Sequence, residues 1–176
     1  MARFLGGVAV VVVVVVVTLL VATAGPASAR RDRFEVTSPA FSEGGTIPDG
    51  FTCTGAGASP PFVWRGVPKG TEELALVMED LDGPGGRFVH WVAWGIDPAA
   101  RRLPEEVLPA GVDEGSPHYF PPCPPPGDDA HRYRITMYAL DAPAAAGVNL
   151  ATAADLRAAI KGHVLAKDRT TGTYAR

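Results

Sequence analysis

Cysteines, basic runs and compact catalytic signatures are what this sequence has least of. There are two cysteines, Cys53 and Cys123, with no CxxC spacing, which is too few ligands for a structural zinc site. No Lys/Arg tract occurs and the formal net charge is −3. A mildly acidic chain with dispersed cations is a poor nucleic-acid binder. No GxSxG elbow, P-loop or HExxH is present, which removes the short signatures of α/β-hydrolases, P-loop nucleotidases and zincin proteases. Only one long hydrophobic run exists, at the N-terminus.

That run has the order of a secretory signal. Arg3 and the free amine precede a Val-dominated stretch from Val8 to Ala22, then Gly25-Pro26, then Ala27-Ser28-Ala29, the small-x-small pattern cut by signal peptidase. The expectation is a signal peptide over residues 1–29, cleaved after Ala29, and one domain over residues 30–176, secreted or extracytoplasmic. An uncleaved N-terminal anchor is the alternative, because Leu5 to Ala24 is about long enough to span a bilayer. No stable membrane insertion is expected after cleavage. No cysteine follows the apolar run, so the sequence does not indicate lipid attachment there. In an exported chain an even pair of cysteines favours a Cys53–Cys123 disulfide, with two buried free thiols as the alternative.

Glycine and proline are frequent and spread along the chain, which suits short strands joined by turns. Leu74 to Met78 is apolar on both faces and reads as a central strand. Phe88 to Ile96 is another, and strict alternation puts Phe88, His90, Val92 and Trp94 on one face. Arg132 to Leu140 is a third, with Tyr133, Ile135 and Met137 on one face and His131 in line with them. Thr152 and Asp155 form a capping-box signal before Leu156 and Ile160, so one helix is expected, ended by Gly162. Leu103 to Pro117 lacks periodicity and reads as a surface loop. The balance is mainly β, with a short helix toward the C-terminus.

Three patches carry polar groups into this apolar frame: Asp80-Leu81-Asp82-Gly83-Pro84, Val89-His90-Trp91, and Pro122 to Gly127 leading to His131-Arg132-Tyr133. If their strands are neighbours, both histidines and an aspartate meet at one end of a sheet, in the usual form of a small-ligand pocket. Plainer roles are available for each. Asp-x-Asp-Gly after a strand is commonly a turn whose carboxylates cap amides, and a histidine between Val and Trp is commonly a satisfied core residue. Trp64, Trp91 and Trp94 read as core, and His118 and His163 as structural.

In this order and spacing the patches resemble the phosphatidylethanolamine-binding protein family. They are closest to its bacterial and archaeal branch of Raf-kinase-inhibitor-like proteins, the YbhB/YbcL type. The resemblance runs from about Thr37 to the end. It includes TSPAF, Phe51 to Gly55, Ser59-Pro60 with Trp64, the D-x-D-x-P and HW elements, the HRY triplet, GHVLA from Gly162 and the final GTYAR. It implies a β-sandwich of antiparallel sheets with an anion-binding pocket lined by Asp80, Asp82, Pro84, Phe88, His90, His131 and Tyr133, with Cys123, Pro124 and Pro125 as one wall. Two positions depart from the family pattern: Leu81 stands where proline is usual, and Pro121 where glycine is.

The resemblance implies a binding protein for a small phosphorylated or anionic ligand, with no cofactor, no metal and no catalytic residues. A protein target is the alternative, with an extracytoplasmic protease as the object of inhibition. A third reading is hydrolysis, with His90 or His131 as general base beside Asp80; it lacks a nucleophile or metal-ligand set.

Overall fold

The computed structural model describes residues 33–115, 118–145 and 150–176; the expected signal peptide lies outside them. Two antiparallel sheets face each other. The smaller has the order β1 (Glu35–Thr37), β2 (Phe62–Arg65), β5 (Arg102–Leu103). The larger runs β6 (Asp113–Glu114), β4 (Phe88–Ile96), β3 (Glu73–Asp80), β7 (His131–Leu140), β8 (Val164–Tyr174). The expected mainly β fold of antiparallel sheets is what forms.

The core lies between the sheets. Phe34, Val36, Phe62, Trp64 and Leu103 pack from the smaller side against Leu74, Leu76, Met78, Trp91, Ala93, Ile135 and Met137. A second apolar cluster covers the outer face of the larger sheet, where Ala75, Val77, Val92, Trp94 and Leu140 meet Leu156 and Ile160. These two come from α1 (Ala153–Ala159) and its C-terminal cap. All eight residues of β3 are therefore buried, which explains why its middle, Leu74 to Met78, is apolar without alternation. The helix starts where the capping box requires. Thr152 accepts from the Asp155 amide at 3.2 Å, and the Asp155 carboxylate accepts from the Thr152 amide at 2.9 Å. Among the described residues no helix is long and apolar enough to cross a membrane.

The alternation expected for β4 fails at two points. Between the pairs Met78↔Trp91 and Glu79↔Val89, β3 advances one residue and β4 advances two, leaving His90 as the extra residue of a bulge. The bulge reverses the phase of everything after it. Val92 and Trp94 go to the outer cluster, while Trp91 and Ala93 enter the inter-sheet core. Phe88 and His90 therefore do not share a face with Val92 and Trp94. A second slip, between Leu74↔Ile96 and Leu76↔Ala93, falls at Gly95 and returns Ile96 to the core. The stretch read as a loop after Leu103 contains β6, which pairs with β4, and Leu103 itself is a buried strand residue.

Gly95 has φ 72°, and a Cβ built there would lie 2.3 Å from the Gly111 carbonyl oxygen. Gly95→Ala is expected to lower unfolding stability by about 2 kcal/mol or more, from backbone strain plus the clash. Gly70→Ala, with φ 87° but nothing within 4 Å, is the control; it should cost about 1 kcal/mol. Urea denaturation giving the two variants equal stability would remove the bulge as the reason for this glycine.

Candidate functional site

The three central strands of the larger sheet end together. Asp80, the last residue of β3, pairs with Phe88 on β4 and with Tyr133 on β7, so the expected residues converge by register alone. They line a cavity of about 210 Å³ formed by Asp80, Gly83, Pro84, Phe88, His90, Phe120, Cys123, Pro124, Pro125, His131 and Tyr133.

Asp80 is buried, and both carboxylate oxygens are engaged. Oδ1 accepts from the Asp82 amide at 2.8 Å, closing the turn after β3, and Oδ2 lies 2.7 Å from His131 Nδ1. Burial alone would disfavour the His131 imidazolium. The hydrogen bond and charge of Asp80, with the carboxylates of Asp128 and Asp82, outweigh that and raise its pKa. His131 Nε2 lies 3.7 Å from Asp128.

His90 is set differently. The Phe120 carbonyl lies 2.6 Å from His90 Nδ1, and the Phe120 amide donates to the His90 carbonyl at 2.8 Å. A carbonyl can only accept, so Nδ1 carries the hydrogen and Nε2 is the ring nitrogen left for a ligand. Burial lowers the His90 pKa, helped by the positive charge of His131 and opposed by the Phe120 bond and Asp80. The site therefore joins a histidine biased toward the cation to one biased toward the neutral form.

Tyr133 is buried, with its ring 5.1 Å from His90 and stacked 6.5 Å from His131. Its hydroxyl is buried and has no hydrogen-bond partner among the described residues. Burial, then the Asp80 charge and the closeness of that carboxylate to the hydroxyl, push its pKa up, so it stays a neutral donor; the approach of Asp80 falls short of hydrogen-bond geometry. Phe88 and Phe120, nearly half exposed, meet edge to face at 5.8 Å beside His90. One wall is the loop 121–126, in which Cys123 is the only residue that is not proline. The Cys53–Cys123 disulfide pins it, with Cα atoms 5.4 Å apart, and the Cys53 amide donates to the Pro122 carbonyl at 3.0 Å.

Asp82 is not brought into this cavity. It faces the neighbouring surface hollow, where Arg132 Nη2 and Nε donate to it at 2.6 and 2.8 Å and the Arg132 amide at 2.9 Å. The hydrogen bond from Arg132, its largest influence, holds its pKa down at about 2. A carboxylate with this many donors anchors the mouth of β7 and has little left for a ligand. Two lining residues were missed by the sequence reading. Gly83 belongs to a stretch recognisable as a turn, whereas Phe120 sits in a segment without periodicity and carried no signal. His118 and His163 are exposed beside Glu114 and Asp141, away from the cavity.

The family model described as phosphatidylethanolamine-binding protein matches residues 37–175. The chain belongs to this family. A UPF0098 protein of the archaeon Methanothermobacter thermautotrophicus is 38% identical over 78% of this chain and 95% of its own length. The mycobacterial protein named "Putative lipoprotein LppC" is 41% identical over 67% of this chain, and the match spans only 63% of that protein. Among solved structures, a phosphatidylethanolamine-binding protein homologue from Chlamydia trachomatis superposes with a TM-score of 0.76 at 34% identity, covering 82% of this chain and 99% of that one. YbcL of E. coli, described as a new member of the mammalian family, gives 0.74 at 26% identity, covering 81% and 98%. These relatives are bacterial and archaeal, so the chain falls in that branch of the phosphatidylethanolamine-binding proteins.

The two histidines give opposite pH signatures. Because the folded-state pKa of His131 is raised, its contribution to stability is complete below the unfolded value near 6.5 and is lost as pH rises through the folded value. His90, with a lowered pKa, costs stability as pH falls below that value. In an NMR titration of the imidazole protons His131 should titrate above His90, and Asp80→Asn should bring His131 down while leaving the Phe120–His90 contact in place. A His131 midpoint that ignores Asp80→Asn would break the assignment of Asp80 as its partner.

Proposed function

We propose that this member of the phosphatidylethanolamine-binding protein family is an exported binding protein whose 210 Å³ cavity takes a phosphate or phosphoryl headgroup. The observation carrying the reading is the buried Tyr133 hydroxyl, which has no hydrogen-bond partner among the described residues. A buried hydroxyl left unpaired costs about 1–3 kcal/mol, which a ligand oxygen would recover. The His131 imidazolium supplies the positive charge, which Asp80, itself in the cavity lining, favours through Nδ1. Neutral His90 offers Nε2 as acceptor to a protonated phosphate oxygen or to the amine of an ethanolamine group. The exposed Phe88–Phe120 pair at the cavity gives an apolar lip for whatever the phosphoryl group is attached to.

Export is supported by the Ala-x-Ala pattern after the Val-rich run and by the relative whose name calls it a lipoprotein. A disulfide also fits an oxidising compartment.

Calorimetric titration with inorganic phosphate and with O-phosphorylethanolamine tests the reading. Saturable binding is expected, weakening as pH rises through the His131 pKa. Tyr133→Phe should lose about fivefold to tenfold in affinity, the worth of one net hydrogen bond. Binding that is absent at millimolar ligand, or insensitive to both His131→Ala and Tyr133→Phe, would refute it.

A further inference from the structure

The disulfide that pins the cavity wall has the surroundings of a reactive bond. Cys53 is exposed and Cys123 half-buried. The Arg176 guanidinium lies against both sulfurs, with Nη1 3.2 Å from Cys123 Sγ and 3.7 Å from Cys53 Sγ. The Arg176 main-chain oxygen in turn accepts from the Gly127 amide at 3.1 Å, so the residue is fastened to the far end of the same loop. A guanidinium beside a sulfur favours that sulfur as a thiolate, and thiol–disulfide exchange is fastest when the leaving sulfur is the better-stabilised thiolate.

We propose that Cys53 Sγ is a thiol-exchange site, and that its modification by a small-molecule or protein thiol unlocks the proline wall of the cavity. An incoming thiolate attacks the Sγ of Cys53, the more exposed of the two residues. A new S–S bond forms there, and the Cys53–Cys123 bond breaks. Cys123 Sγ leaves with the bonding pair as a thiolate facing Arg176. The attacking sulfur is oxidised and Cys123 is reduced, so no other oxidant is needed.

The wall depends on this bond because of what it is made of. Proline has no amide hydrogen, so within residues 121–126 only Cys123 can donate a backbone hydrogen bond. The loop is held instead by the disulfide, by the Cys53 amide on the Pro122 carbonyl, by the Asp128 amide on the Pro125 carbonyl, by Phe120 and Gly127 at its two ends, and by the burial of Pro122 and Pro124. Exchange at Cys53 removes the one covalent tie and leaves scattered hydrogen bonds and the packing of Pro122 and Pro124. The step from a loosened wall to altered ligand affinity rests on the proposed function. The exchange and the loosening do not.

The test is therefore free of ligand. The full oxidised chain is treated with glutathione, quenched with iodoacetamide and mapped by peptide mass spectrometry. Glutathione on Cys53 and the alkyl label on Cys123 are expected. Arg176→Gln should slow adduct formation by about threefold to tenfold, while Arg176→Lys, which keeps a cation, should retain most of the rate. Hydrogen exchange at the Phe120 amide should speed up at least about tenfold in the adduct, as the wall opens. Glutathione on Cys123, equal labelling of both cysteines, an Arg176→Gln rate equal to that of the parent, or unchanged Phe120 exchange would each overturn the proposal.

Discussion

A carboxylate taken out of water must be met by donors on nearly every side, or the charge destabilises the fold that buries it. Asp80 meets this condition with two partners from different places: the amide of Asp82, two residues on, and the imidazole of His131, at the start of another strand. One oxygen fixes the turn that leaves β3, and the other fixes the entry of β7. The aligned ends of these strands, the orientation of His131 and its bias toward the cation all follow from satisfying one buried charge. The next residue back, Glu79, is also buried and faces the other way. It meets Arg157 of α1 at 2.9 Å and Arg134 of β7 at 3.4 Å. Adjacent carboxylates on one strand thus serve opposite faces of the sheet, one turned to the cavity and one to the helix layer.

The bulge at His90 lets a polar residue occupy a strand that is otherwise core. Without the extra residue, β4 could not place both His90 and Trp91 toward the inner face, and one of the cavity or the inter-sheet core would lose its side chain. A cavity beside a densely packed core needs such a device, because strict alternation gives every second position to the opposite face. Phe120 completes the arrangement from outside the sheet, holding His90 through both its backbone and its ring.

Much of this was legible in the residues themselves. The three central strands, the helix with its capping box and the meeting of Asp80, His90, His131 and Tyr133 are local signals, or follow from neighbouring strands ending together. The smaller sheet was not legible. β1, β2 and β5 are short, and their burial depends on the facing sheet rather than on their own pattern. β8 was missed for a different reason: it is an edge strand with mostly exposed residues in its first half, so no apolar period marks it. The phase of β4 was misread because a bulge is a register event between two strands and leaves little trace in either. Asp82 entered the expected site through the family resemblance, whereas its own local pattern, Asp-x-Asp-Gly after a strand, pointed to a turn. The choice between ligand and ion pair lay with Arg132, whose side chain also belongs to the exposed face of β7.

The proline wall has a thermodynamic consequence. A chain segment whose φ angles are fixed by pyrrolidine rings has few conformations before it meets a ligand and few to give up afterwards. Closing around the proposed ligand would therefore take little ordering entropy from this side of the cavity, and with the disulfide intact the wall would resist swelling to admit a larger one. Were the proposed ligand to bind there, size selection would come from stiffness, with the shape of the void set at the time of folding rather than adjusted at each encounter.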